Sequence, residues 1–429
     1  MEMAAMSKQE REKVLLFAAS EGNLRLLKKM ARGLDSGGQG EASVLAAVSD
    51  GEGNRALHLA AAAGRVEVCR YIVEDLRLDV NQPNFKGETP LFYSAFYGGA
   101  AAARYLIDHG ADPLAGKIWS PLHGAAAKGN FEIVELLLSR GINVDLHSVQ
   151  GTPLHAAALH KQDCMMKFLL EHHADPNKVC SLNYTPLSWA MRTKSLECVK
   201  LLIQAGADVN FVDFSGITNL ILAVQYGLPG TVQCLLDAGA NPNIPDEFGR
   251  TPIEFAASEG RRDMVEMLFP LTSPIPTLPE WSIDGIISHV ESFGLKPRDK
   301  RKCEKRRTGL KQKAKEAFQR EQYFIASQFY SCVMAFDPSP DDRVTILANL
   351  SLCSLRGGNG SGALSYATMC RMARPHWPKA CYRQGAAFML QKDYEKACEA
   401  FADGLKLDPK STEIANALRE ASEAAKNAC

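Results

Sequence analysis

The sequence lacks any uninterrupted apolar run approaching the roughly 20 residues of a membrane helix, and its opening MEMAAMSKQEREK has no apolar core of signal-peptide length. Neither membrane insertion nor secretion is expected. The twelve cysteines form no CxxC pair, and several of them, such as Cys69, Cys198 and Cys234, fall at apolar helix positions. That usage suits small buried hydrophobes in a reducing compartment and argues against structural zinc. Cys429 is the final residue and is not placed for a prenylation motif. No Ser-His-Asp, Cys-His or paired-carboxylate arrangement stands in a supporting context, so neither catalysis nor a cofactor is expected. Net charge is also absent, with 49 Lys+Arg against 49 Asp+Glu, yet the balance conceals an asymmetry. Residues 1–270 carry 25 basic against 31 acidic residues, or −6, and residues 271–429 carry 24 against 18, or +6. The C-terminal part is the one suited to an acidic partner. The expected location is the cytoplasm, with the nucleus as a second.

With 429 residues, 46% of them hydrophobic, the chain exceeds the size at which one core keeps growing, so two or more folding units are expected. The stretch from Gly151 to Asn177, GTPLHAAALHKQDCMMKFLLEHHADPN, shows how the first is built. Thr152 suits a helix cap, Pro153 suits the first helical position, and Leu154 starts a buried stripe. Ala156, Ala157 and Ala158 leave room for a neighbouring helix, while Met166, Phe168, Leu169 and Leu170 form the apolar side of a second helix. Such a pair cannot bury its own face and needs copies of itself on either side. The proline or its substitute recurs at Ala56, Pro90, Pro121, Pro153, Pro186, Asn219 and Pro252, a period of 31 to 34 residues.

That period, with its Thr-Pro-Leu-His core, resembles the ankyrin repeat. Lys161, His173 and Lys194 stand where that family usually has a left-handed glycine. Residues 13–19 and 24–30, with Gly22 between them, read as a diverged helix pair that caps the stack, and VLAAV as a short helix after a flexible loop. Near Pro270 the prolines Pro274, Pro276 and Pro279 predict a semi-rigid linker and a domain boundary. Ser282 then caps a helix with Ile283, Ile286, Ile287, Val290 and Phe293 on one face, which either closes the stack or braces the next domain. The segment Lys296 to Arg307 holds eight basic residues. It fits an import or nucleic-acid patch, or the exposed lead-in of the next helix.

From about Thr308 a second helix-pair period begins. It is marked by Ala326, Tyr330 and Asp337-Pro338, by Ala363 and Pro375, and by Gly385, Ala397, Phe401 and Asp408-Pro409. These markers resemble the tetratricopeptide repeat, in three copies followed by a capping helix with Ile414, Leu418, Ala421 and Ala425 on one side. The wider spacing from Ala326 to Ala363 predicts a longer connection through SPDDR. GGNGSG, Gly357 to Gly362, looks like a phosphate loop but has no Lys-Ser/Thr after it and no strand before it, so it reads as a turn. His58, His123 and His155 recur at one repeat position and read as ties between adjacent turns rather than metal ligands.

The expected architecture is all-α: an ankyrin solenoid over 1–270, a linker, amphipathic helix and basic segment over 271–307, and a tetratricopeptide solenoid over 308–429. On the first helices of the second array, Lys311 and Lys315 are four apart, Asn349 follows on the next, and Lys379 and Arg383 are four apart on the third. The set resembles the carboxylate clamp of co-chaperones that grip Glu-Glu-Val-Asp tails of heat-shock chaperones, with Lys315 in place of an asparagine. The pairing of the two arrays around a WSIDGI-like helix resembles ankyrin–tetratricopeptide proteins of plants. The resemblance implies a scaffold that holds a protein partner on one array and a chaperone's C-terminal tail in the other. The rival reading is a nuclear or nucleic-acid-associated adaptor that uses residues 296–307.

Overall fold

The computed structural model describes residues 6–428, apart from 36, 117, 118, 149, 182, 214, 215, 277, 279, 297, 298 and 337. Asp337, Pro279 and Cys429, named above, lie outside the described residues, as does Arg298 of the basic segment. The chain divides into two units, Met1–Pro297 and Arg298–Cys429. Among the described residues the regular elements are helices, with two isolated bridges, Ser148–Gly151 and Val212–Thr218.

In the first unit, seven helix pairs follow the proline period: Ala56–Ala62 with Val66–Arg70, then first helices starting at Pro90, Pro121, Pro153, Pro186, Asn219 and Pro252. Their starts are fixed chemically. The Thr89, Thr185 and Thr218 side chains accept from the third amide of their helices, and proline at the first position forfeits no hydrogen bond. First helices pack on first helices of the next repeat, and second helices largely on second helices. The buried alanines permit that approach: Ala60, Ala125, Ala157, Ala190 and Ala256 are fully enclosed, as are Met165, Met166 and Leu169 of the fourth repeat. The expected left-handed turns are present, with φ of 57° at Lys161, 64° at His173 and 57° at Lys194. At the N-terminal end, Lys8–Glu21 and Leu24–Leu34 form the capping pair around Gly22, and Glu41–Ala47 is the short helix.

The proline-rich stretch after Pro270 is not a spacer. Asn243 donates its amide to the Leu271 carbonyl at 3.3 Å and accepts from the Ser273 N–H at 2.7 Å, Ile275 is buried, and Trp281 stacks on Phe269 with ring centroids 5.3 Å apart. Helix Ile283–Phe293 then packs on both helices of the seventh repeat and buries Ile286 and Val290 in the core of the stack. Arg262 holds Asp284 at 2.7 Å. The boundary therefore falls at Pro297, not Pro270, because apolar and ionic contacts continue the array. Phe293 leaves the expected face: it is 78% exposed, beside His289.

The second unit has three helix pairs and a closing helix: Lys300–Gln319 with Tyr323–Met334, Pro340–Arg356 with Gly360–Ala373, Pro378–Leu390 with Tyr394–Leu407, and Thr412–Ala428. Ala326, Ala363 and Ala397 are fully buried, and Gly385 abuts Phe401 so closely that a Cβ would lie 2.5 Å from the ring. Gly357–Gly358 turns the chain and Asn359 caps the next helix by accepting from the Gly362 N–H. Two boundaries differ from expectation. The first helix begins at Lys300, capped by Asp299, so most of the basic segment is its first two turns. SPDDR is no connection: Ser339 caps and Pro340 starts a 17-residue helix, whose added length absorbs the wider repeat spacing.

Candidate functional site

Helix Lys300–Gln319 buries Cys303, Leu310, Ala314 and Ala317 along one stripe, which turns Thr308, Lys311, Gln312 and Lys315 outward. These four form one wall of a cleft of about 320 Å³, with Tyr330 from the second helix and Thr345, Ile346 and Asn349 from Pro340–Arg356. An adjoining hollow of about 290 Å³ shares Lys315, Tyr330 and Asn349 and extends to Phe318, Gln319 and Leu352. The structure thus brings together three of the five expected donors. Two ammonium groups stand one turn apart opposite a carboxamide, beside a phenol. Such a cleft offers several donors to an oxyanion and apolar wall to the chain that carries it.

Lys379 and Arg383, on helix Pro378–Leu390, do not line this cleft. Lys379 is exposed with its ammonium 6.0 Å from the centre of the Trp377 ring. Arg383 is half-buried, its guanidinium 5.7 Å from the Tyr382 ring. Its helix packs on Pro340–Arg356. Burial lowers the Arg383 pKa from its ordinary value, partly offset by Tyr382 and Glu413 and reinforced by Arg356. Its Nε is buried without a hydrogen-bond partner among the described residues. An unpaired buried donor is a standing penalty on the fold.

The sequence reading missed Asp342, whose carboxylate lies 2.8 Å from the Lys311 ammonium. The Ser-Pro pair before it was the available sign, since a cap followed by proline starts a helix and so places Asp342 on the cleft-bearing element. Thr308 and Thr345, also missed, carry no local signature. The basic segment is divided rather than one patch. Lys296 belongs to the first unit and donates to the Gly249 carbonyl at 3.1 Å, whereas Arg307 donates to the Phe336 carbonyl at 2.8 Å in the second.

The three recurring histidines bridge repeats. The Arg55 and Thr152 backbone N–H groups each donate to Nδ1, of His58 and His155, at 3.1 Å. Nδ1 is therefore an acceptor and Nε2 carries the proton, which it donates to the carbonyls of Glu88 at 3.2 Å and Tyr184 at 3.1 Å. His123 does the same between the Ser120 hydroxyl at 2.8 Å and the Gly151 carbonyl at 3.0 Å. Burial pushes all three down to about 4. A second ladder runs beside the first: Asn81, Asn177, Asn210 and Asn243 each donate to a carbonyl and accept an N–H from the next repeat. No group of three or more metal-ligating side chains is found among the described residues, and no helix is long and apolar enough to cross a membrane.

Comparison with known proteins agrees with this division. The pattern for ankyrin repeats in three copies matches residues 15–117, 122–213 and 187–274, more than half of the chain, and that for the tetratricopeptide repeat matches 378–411. The chain is 33% identical over 140 residues to transient receptor potential channel pyrexia of Drosophila melanogaster, covering 32% of this chain and 15% of that protein. It is 32% identical over 111 residues to the heat shock protein sti1 homolog of Schizosaccharomyces pombe, covering 26% and 18%. With the Hsp70-Hsp90 organizing protein of Triticum aestivum it shares 31% over 109 residues, covering 25% and 18%. The matches therefore span less than a fifth of each relative's length. Among solved structures, the human ASB11 ankyrin repeat domain aligns at 30% identity with a TM-score of 0.45, over 53% of this chain and 98% of that one.

Proposed function

Since this chain belongs to the ankyrin-repeat family and carries a tetratricopeptide repeat near its C-terminal end, we propose that it is a non-enzymatic co-chaperone scaffold of the cytoplasm. Its first array holds a protein partner, and its second takes the acidic C-terminal tail of a heat-shock chaperone. The observation that carries this reading is the convergence of Lys311, Lys315 and Asn349 on one cleft. A chain-terminal aspartate presents two carboxylates close together, and only a focused set of donors holds both against water. Arg383, on the next first helix and only half-buried, is the further donor that the clamp resemblance adds. The similarity to a protein named for organizing Hsp70 and Hsp90 supports the same partner class.

The test is titration of a fluorescent Glu-Glu-Val-Asp peptide into the full chain, once with a free C-terminus and once amidated. Saturable binding that amidation abolishes is expected. Absence of saturable binding at low salt, where charge contacts are strongest, removes the chaperone from the reading and leaves the scaffold.

A further inference from the structure

Seven turns join first helix to second in the repeats of the first array. Five place glycine at the left-handed position, Gly64, Gly98, Gly129, Gly227 and Gly260, and two place lysine, Lys161 and Lys194. A side chain in this conformation is strained where glycine is not. The two lysines occupy consecutive repeats and both are exposed. Strain kept at adjacent, solvent-facing positions points to a role for the side chains themselves.

Their surroundings say which role. Over the two residues before the left-handed position and that position itself, the second to sixth repeats read Phe-Tyr-Gly, Ala-Lys-Gly, Leu-His-Lys, Arg-Thr-Lys and Gln-Tyr-Gly, without one Asp or Glu. The seventh repeat closes the run with Glu259. This happens in a region of net charge −6 over residues 1–270. Aromatic rings lie among the cations: the Lys128 ammonium is 4.6 Å from the Phe96 ring centre, the Arg192 guanidinium 4.9 Å from that of Tyr184, and Trp119 meets His160 edge-on at 5.5 Å. Tyr97 is 62% exposed. Because first helices pack side by side, these turns form one continuous row.

We propose that this row docks an extended acidic peptide segment bearing apolar or aromatic side chains. Its carboxylates meet Lys161, Arg192 and Lys194, and its apolar groups lie on Tyr97, Trp119 and Trp189. The proposal rests on the reading of the first array as protein-binding and specifies the partner's chemistry. Helices pack about 8–10 Å apart, so four steps of the row span roughly 36 Å, which an extended chain covers in about 11 residues. A nucleic-acid strand fits less well, since it would bring a denser charge than these few cations neutralise and would face a net-negative array.

The probe is a fluorescein-labelled peptide of about 12 residues, alternating Asp/Glu with Leu and Phe and amidated so that it offers no terminal carboxylate to the second array. It is titrated into the full chain beside a charge-matched peptide with serine in place of Leu and Phe, and beside labelled oligo-dT. In Lys161→Gly/Lys194→Gly, peptide affinity should fall by about tenfold or more, while the melting temperature rises by about 2–4 °C as strain is relieved. The serine peptide should bind more weakly than the probe. Binding of the free-acid Glu-Glu-Val-Asp peptide should be unchanged in this variant, so either reading can fail alone. The proposal is overturned by no saturable probe binding at low salt, by unchanged probe affinity in the variant, by a lower melting temperature, or by tighter binding of oligo-dT than of the probe.

Discussion

The Lys311 ammonium is neutralised within its own unit, 2.8 Å from the Asp342 carboxylate, each side chain little more than one-third exposed. An incoming acidic tail must displace that carboxylate or share the lysine with it. Asp342→Asn should therefore raise affinity for the Glu-Glu-Val-Asp peptide by about two- to fivefold, read by fluorescence anisotropy. A weaker complex would instead mean that Asp342 holds Lys311 in its binding position.

Arg383 offers the complementary experiment. Arg383→Ala should weaken the same peptide by about 1.5–3 kcal/mol, and Arg383→Lys should recover only part of this because an ammonium lacks the planar fork. Thermal stability should stay level or rise, since the variant removes a buried donor that has no partner. Loss of stability with unchanged affinity would make Arg383 a packing residue.

The bridging histidines predict an acid-side weakness. Burial, the largest influence, holds His58, His123 and His155 at about 4 in the folded chain. The unfolded chain takes up these protons nearer the ordinary value of about 6.5. Each histidine's stabilisation is thus complete above about pH 6.5 and is lost as pH falls through about 4, up to roughly 3 kcal/mol apiece. Protonation would also put a hydrogen on Nδ1, which in His58 faces an amide N–H that cannot accept it and in His123 and His155 would require the Ser120 and Thr152 hydroxyls to turn from donor to acceptor. Chemical denaturation of the full chain from about pH 7.5 down to about pH 4.5 should show falling stability, with a shallower fall in His123→Asn/His155→Asn. Equal slopes would exclude these residues as the cause.

Truncation tests the revised boundary. A fragment ending at Pro270 loses the helix that buries Ile286 and Val290 and the Trp281–Phe269 stack, whereas one ending at Pro297 keeps them. The longer fragment should melt higher by about 4 °C or more. Identical melting curves would show that helix Ile283–Phe293 adds nothing to the array.

The helix pairs were legible because their information is local. Thr-Pro at a helix start, alanine at a crossing and glycine at a turn each act within a few residues, and thirty-odd residues later they recur. The paired cleft lysines were legible too, since a spacing of four sets one helix face. What escaped depended on partners distant in sequence. Nothing near Pro274 tells that Trp281 will stack back on Phe269, and nothing in the pattern of Lys311 tells that Asp342 will reach it. The clamp resemblance joined five residues, of which Lys311, Lys315 and Asn349 line the cleft and Lys379 and Arg383 do not.

The two ladders of inter-repeat hydrogen bonds share one gap. Phe92 stands in the second repeat where His58, His123 and His155 stand in others, and Leu114 stands where Asn81 and Asn177 do. Between the second and third repeats, among the described residues, neither ladder has a rung. Phe92 instead presses against Gly124 and stacks with Phe96, and the joint is crossed by Asn130, which donates to the Ala95 carbonyl at 2.7 Å, and by the Arg140–Asp108 pair. Apolar attraction weakens on cooling, while hydrogen bonds across the other joints do not share that dependence. Cooling therefore weakens this joint more than those that carry a ladder rung as well.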